Sequence, residues 1–299
     1  MPNRSEDLPF AVNLRRINKG VGYVALLLPA LLLAVTGVTG TCFYATISHY
    51  YFSRIGGDLF VGSLSFIGVM LTFFYVIEPG RTDGYLEHRR MDIALVRLAG
   101  ICALAIAFLP TTGSGCAYHA GYGARAFLTD LQGSEAFLPA IGAVTGTVTH
   151  DFWASFERFG SPAEVPVALA SLHFGAAAVM FSILGYFSAC VFTRQNSATS
   201  RGADEPGSRK ASRNRWYRGL GLAIYVAAGI IGFKFAVTQW ALSAPSAERV
   251  SAIWDRWHVT FVCETVALMS FGLSWLIKGR FLAVFEDEVA RPGSQRRDA

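Results

Sequence analysis

Charge is what this sequence has least of. Charged residues make up only 16% of its 299 residues, while hydrophobic residues make up 53%. Soluble domains carry about 25% charged residues, so the composition argues against a water-soluble enzyme and for a chain solvated by lipid. Metal-type cysteine spacing is also missing: the five cysteines, Cys42, Cys102, Cys116, Cys190 and Cys263, contain no C-x2-C pair. All but Cys116 lie within or at the ends of apolar segments, where a thiol behaves as a small hydrophobe. A disulfide framework is therefore not indicated. No H-x3-H pair is present, and the two halves of the chain show no internal repeat of the kind that marks many transporters. A cleavable signal peptide is not expected either. The polar segment 1–19 ends in Arg15, Arg16 and Lys19, and the apolar run after it is about twice the 7–15 residues of a signal core.

What the chain has is long apolar runs. About 20 apolar residues are needed for a helix to cross the hydrocarbon core. Six segments qualify: 20–47, 59–77, 92–110, 166–193, 217–241 and 256–277. Pro29 and Gly40 in the first are tolerated because neighbouring helices satisfy freed backbone groups. The expected fold is all-α, a polytopic membrane helix bundle with six transmembrane helices. Its organisation reads as a cytoplasmic N-terminal segment (1–19), helices one to three (20–110), an exported loop (111–165), helix four (166–193), a cytoplasmic basic linker (194–216), helices five and six (217–277) and a cytoplasmic tail (278–299).

Orientation rests on Lys and Arg. Arg81, Arg89 and Arg90 lie in the second connection, six basic residues from Arg194 to Arg215 lie in the fourth, and Lys278 and Arg280 begin the tail. The opposite connections carry only Arg54, Arg125, Arg158, Arg249 and Arg256. By the positive-inside rule both termini are expected in the cytoplasm. The same alternation accounts for the net charge of +5 without invoking nucleic acid as a partner. The 194–216 segment, rich in Ser, Gly and Arg, reads as a disordered linker. In the exported loop, Phe152, Phe156 and Phe159 form one helical stripe beside Trp153, which predicts an interfacial helix.

The stretch 41–62 joins the first two spans and holds Ser48, His49 and Asp58 among Tyr44, Tyr50 and Tyr51. Tyrosine suits a bilayer interface, where its ring is apolar and its hydroxyl wet. Counting depth at 1.5 Å per residue brings His173, Lys234, His258 and Glu264 to the same outer side. Ionisable groups cost roughly 2.5–3.5 kcal/mol each at the centre of a span, so each needs a partner or a purpose. Structurally, Lys234 and Glu264 would neutralise each other, Asp58 would cap the second helix and His173 would bond a neighbouring backbone. As a functional set, Asp58, His173, Lys234 and Glu264 are the polar contacts expected to bind a lipid or small amphiphile in an outward-facing pocket. The alternative is a metal-dependent hydrolase of a lipid ester or amide. In that case zinc would be held by His49, Asp58, His173 and His258 and would activate a water. Membrane lipids are the expected surroundings in either case.

The blocks SHYYFSRIGGDLFVGSL, RLAGICALAIAFLPT, LHFGAAAVMFSILGYFS and ETVALMSFGLSWLIKG resemble those of a family of uncharacterised six-span bacterial inner-membrane proteins. That resemblance implies a multi-pass topology in the cell inner membrane and no particular chemistry. A vaguer likeness, at Ser48, His49 and Asp58, is to the intramembrane hydrolase superfamily of alkaline ceramidases and progestin-type receptors. It implies a zinc site, although the closing histidine pair of that superfamily has no counterpart here and the spans number six, not seven.

Overall fold

A computed structural model describes residues 13–39, 43–52, 54–78, 80–82, 84–109, 111, 167–194 and 208–281, together with four short strands in the segment between 111 and 167. Six of its helices are long and apolar enough to cross a membrane. They are α1 (Leu14–Thr39), α2 (Arg54–Val69, extended by a π turn, Met70–Phe74), α3 (Arg90–Phe108), α4 (Val167–Tyr186, with a π turn, Phe187–Val191), α5 (Arg209–Ala236, with a π turn, Val237–Ala241) and α7 (Val259–Lys278). A shorter helix, α6 (Ala244–Arg256), joins α5 to α7. The bundle is all-helical. Beside it, β1 (Tyr118–His119) pairs antiparallel with β3 (Ala143–Val144), and β2 (Leu128–Leu131) with β4 (Val148–His150).

Each spanning helix packs on its neighbour in sequence, and α7 closes the ring against α1. The closure is antiparallel: a Cβ added at Gly279, past the end of α7, would meet Lys19 and the Arg15 carbonyl near the start of α1. Both described chain ends therefore lie at one end of the bundle, called here the terminal end. The α1–α2, α3–α4 and α5–α7 connections lie at the other, the loop end. In α7, 61% of the most apolar window is buried, against 22% in α5, so α7 is the central helix and α5 the one most open to lipid.

Glycine sets how closely the helices approach. A Cβ on Gly22 would lie 2.8 Å from the Gly272 carbonyl, and one on Gly272 would lie 2.7 Å from the Gly22 carbonyl, so the backbones of α1 and α7 touch there. Gly68 and Gly100 make the equivalent crossing between α2 and α3, at 2.9 and 2.8 Å. Small residues at crossings are how helices associate where lipid removes the hydrophobic drive between them. Inside the ring, Trp275 is fully buried among Phe187, Phe192 and Phe271, with ring centroids 4.6–6.1 Å apart.

Two boundaries differ from the sequence expectation. Helix α1 begins at Leu14 and ends at Thr39, so residues 43–47 lie outside the first span rather than completing it. Helix α5 begins at Arg209, inside the segment expected as linker, because its polar first turns have partners. The Ser208 hydroxyl caps the helix by accepting from the Ala211 N–H at 3.1 Å, and Lys210 Nζ donates to the carbonyls of Phe192 and Arg194 at 3.4 and 2.6 Å. The expected interfacial helix at 152–159 lies outside the described residues, as does any roof that the 111–165 loop forms.

Candidate functional site

At the loop end the tyrosines of the α1–α2 connection are not wet. The connection folds inward as a plug, with Tyr44, Ile47, Tyr50 and Tyr51 buried. The Tyr hydroxyls tolerate this because they find protein partners. Thr36 Oγ1 spends its proton on the Leu32 carbonyl at 3.0 Å, so Tyr50 donates to Thr36 across 2.7 Å. Burial pushes the Tyr50 phenol above its ordinary pKa and keeps it protonated. The Phe261 N–H of α7 donates to the Ala45 carbonyl at 3.1 Å, which fixes the plug to the central helix. A 3₁₀ turn, Ser48–Phe52, then leads into α2.

Two residues expected from sequence converge on this plug. Glu264, in the second turn of α7, accepts the Ile47 N–H on Oε2 at 2.5 Å and places Oε1 3.5 Å from Ser48 Oγ. A carboxylate is well placed where a helical turn begins with unsatisfied N–H groups. His173, in the second turn of α4 and fully buried, has Nδ1 2.8 Å from the Leu109 carbonyl and Nε2 3.1 Å from Ser48 Oγ. A carbonyl only accepts, so Nδ1 carries the ring proton, and in the neutral ring Nε2 accepts from Ser48. The Ser48 hydroxyl thus has one proton and two acceptors in reach, His173 and Glu264. Helices α4 and α7 flank α5 in the ring, so the chain Leu109–His173–Ser48–Glu264 crosses the interior and ties together four segments.

The other expected residues lie around this chain. His49 is half-buried beside Ser48, with its backbone N–H donated to Thr46 Oγ1 at 3.0 Å. Asp58 is exposed on α2, beyond the first turn. Lys234 is half-buried in the last turn of α5, where the helix dipole favours a cation. No ion pair joins it to Glu264 among the described residues, since Glu264 is engaged with Ile47 and Ser48. His258 precedes α7 in the left-handed conformation (φ 49°), its ring 4.3 Å from that of Phe43. Its Nδ1 is buried and lacks a hydrogen-bond partner among the described residues. His49, Asp58, His173 and His258 do not gather into a metal site: among the described residues no three His, Cys, Asp or Glu side chains lie close enough to hold an ion.

The terminal end holds a second polar network that sequence reasoning did not find. Arg194, just past α4, donates to Asp92 of α3 at 2.7 and 3.4 Å, to Tyr186 Oη at 2.8 Å and to the Glu87 carbonyl at 3.2 Å. Asp92 also accepts the Arg89 N–H at 2.7 Å, which caps α3. Partial burial opposes the charge on Arg194, but its bonds to Asp92 outweigh that and hold its pKa above the usual value. Nearby, Lys278 donates to the Gly84 carbonyl at 2.6 Å and lies 4.3 Å above the Tyr85 ring. Tyr85, pushed up to about 12 by burial, accepts from Asn18 Nδ2 at 2.5 Å. The sequence signal was an acid at the start of one apolar run and an arginine at the end of another, which nothing in a linear reading pairs.

Compared with protein-family models, with curated proteins and with solved structures, the chain matches none.

Proposed function

We propose that this is a multi-pass protein of a bacterial cell inner membrane, with both termini cytoplasmic. In this reading its loop end holds a lipid or small amphiphile without transforming it. The observation that carries the reading is the chain Glu264–Ser48–His173, which links α7 to α4, two helices that otherwise make only a small contact, at the end away from the described chain ends. Ser48 and Glu264 are only half-buried, so a ligand reaches them by a short displacement. A carboxylate has about four acceptor sites, and Glu264 engages the Ile47 N–H, the Ser48 N–H and, at longer range, the Ser48 hydroxyl. The matching ligand is a headgroup with hydroxyl or ammonium donors, its tail lying among the exposed apolar side chains of the spans. The orientation is supported by the excess of Lys and Arg in the connections at the terminal end.

The test is to incubate purified protein with a polar lipid extract and analyse both the bound and the free lipid. Retention that drops on Glu264→Gln, with unchanged lipid composition, is the expected result. Appearance of a hydrolysed lipid sinks the reading.

A hydrolase remains as second reading, on one observation: the Ser48 hydroxyl is bonded to a histidine whose ring is held by a carbonyl, as in an activated serine. Covalent labelling by a fluorophosphonate, abolished by Ser48→Ala, would put it first. Its zinc-dependent form requires about one zinc per chain, lost on His173→Ala.

A further inference from the structure

The connection between α5 and α7 is helical over 13 residues. Val250, Ile253, Trp254 and Trp257 recur at the i, i+3, i+4, i+7 spacing of one helical face, while Glu248, Arg249, Asp255 and Arg256 occupy the rest of the surface. None of the residues of α6 is buried in the bundle. Ile253 is 62% exposed and Trp257 72%. Trp254 turns its indole N–H to Thr260 Oγ1 at 2.8 Å, which fixes the roll of α6 against the start of α7. Its packing partners are the π turn at the end of α5 and α7.

The surface on either side says what covers the apolar face. Along α5 the exposed side chains include Leu222, Val226, Ile230 and Phe233, and the row ends at Trp240, 80% exposed at the end of the π turn. On α7 it resumes at Val262 and Val266. Those faces belong to helices apolar and long enough to sit in lipid. The exposed apolar side of α6 thus continues a lipid-facing surface, and its tryptophans stand at the level where both spans leave the hydrocarbon. Indole favours that level, with its ring in the acyl boundary and its N–H toward polar groups. The charges on α6 are of both signs, two acidic and two basic, which suits a zwitterionic headgroup layer.

We propose that α6 is an interfacial helix that lies in the loop-end leaflet of the bilayer, with Ile253 and Trp257 in the acyl boundary and Glu248 and Asp255 in water. It anchors the entry of α7, the helix that carries Glu264, at a fixed depth.

The test uses the full chain in phosphatidylcholine vesicles, in a background with Cys42, Cys102, Cys116, Cys190 and Cys263 changed to Ala. A nitroxide is attached at Ile253→Cys, Trp257→Cys, Glu248→Cys or Asp255→Cys. Collision with oxygen should exceed collision with a water-soluble nickel chelate severalfold at 253 and 257, with the order reversed at 248 and 255. Equal access to the chelate at all four positions overturns the proposal. So does protection of 253 and 257 from both reagents, which would mean that protein covers this face. Should the cysteine-free background fail to fold, quenching of the otherwise unmodified protein by acyl-brominated lipid decides. A component of that quenching should disappear in Trp257→Phe, and its persistence contradicts the proposal.

Discussion

Glu264 and Ser48 are the residues on which the loop end turns. The Glu264 carboxylate satisfies an N–H in the plug, so its removal leaves Ile47 N–H buried without an acceptor. Glu264→Ala should therefore cost about 1–3 kcal/mol of stability, the usual range for an orphaned buried donor. Glu264→Gln keeps an oxygen for Ile47 and should cost less, which separates ligand binding from folding. Thermal unfolding in detergent, followed by tryptophan fluorescence, measures both. At the terminal end the logic is that of an ion pair: Asp92 is nearly fully buried and Arg194 largely so. Removing one partner leaves an uncompensated charge, so Asp92→Ala should destabilise by about 3–5 kcal/mol. The double variant Asp92→Leu with Arg194→Met should recover most of that loss. A double variant no more stable than Asp92→Ala would show that the bonds of Arg194 to Tyr186 and Glu87, rather than the charge pair, hold this end.

At the scale of elements, the crossings of α1 with α7 and of α2 with α3 are limited by backbone contact. A methyl group at Gly272 has nowhere to go, since Gly22 and Leu26 backbone atoms lie 2.7 Å from its Cβ position. Gly272→Ala should push the helices apart and cost about 1–3 kcal/mol, as overpacking does. Gly62 has open space around it, and Gly62→Ala should stabilise α2 by about 0.5–1 kcal/mol through the reduced freedom of the unfolded chain. Opposite shifts in melting temperature are the expected pair of results; equal shifts would contradict the close-contact account. Which glycines are which was not legible in the sequence, because both lie in apolar runs of similar composition. The runs themselves were legible, since the apolar length needed to cross a bilayer is a one-dimensional property. Helix α6 is legible in principle from the helical spacing of Val250, Ile253, Trp254 and Trp257, but it is too short and too charged to register as a span. The Ser208 cap at the start of α5 is local, but the polar first turn stayed hidden because Lys210 gains its partners only when the ends of α4 and α5 meet.

For the whole molecule, six spans put both described chain ends at one end of the bundle, and the proposal that this end is cytoplasmic rests on the excess of Lys and Arg there. With the five native cysteines changed to Ala, Ser243→Cys, before α6, should react with a membrane-impermeant maleimide added outside intact cells, whereas Ser200→Cys should react only after the membrane is opened. The reverse pattern would invert the topology and place the Glu264 cluster at the inner face. The cluster itself was half legible. His173 and Glu264 stood out because ionisable groups in spans are costly, and both meet at Ser48. Lys234 and Asp58 stood out for the same reason, but depth along a helix does not tell which way a residue faces, and neither joins the chain. The Leu109 carbonyl that orients His173 carries no sequence signal at all.

The most direct test of amphiphile binding is native mass spectrometry of the full chain released from its own membranes in mild detergent. The account predicts an added mass corresponding to one lipid or amphiphile on the wild-type chain, strongly reduced in Glu264→Gln while that variant melts close to the wild type. A folded wild-type chain that carries no such mass, or one whose added mass is unchanged in Glu264→Gln, would contradict it.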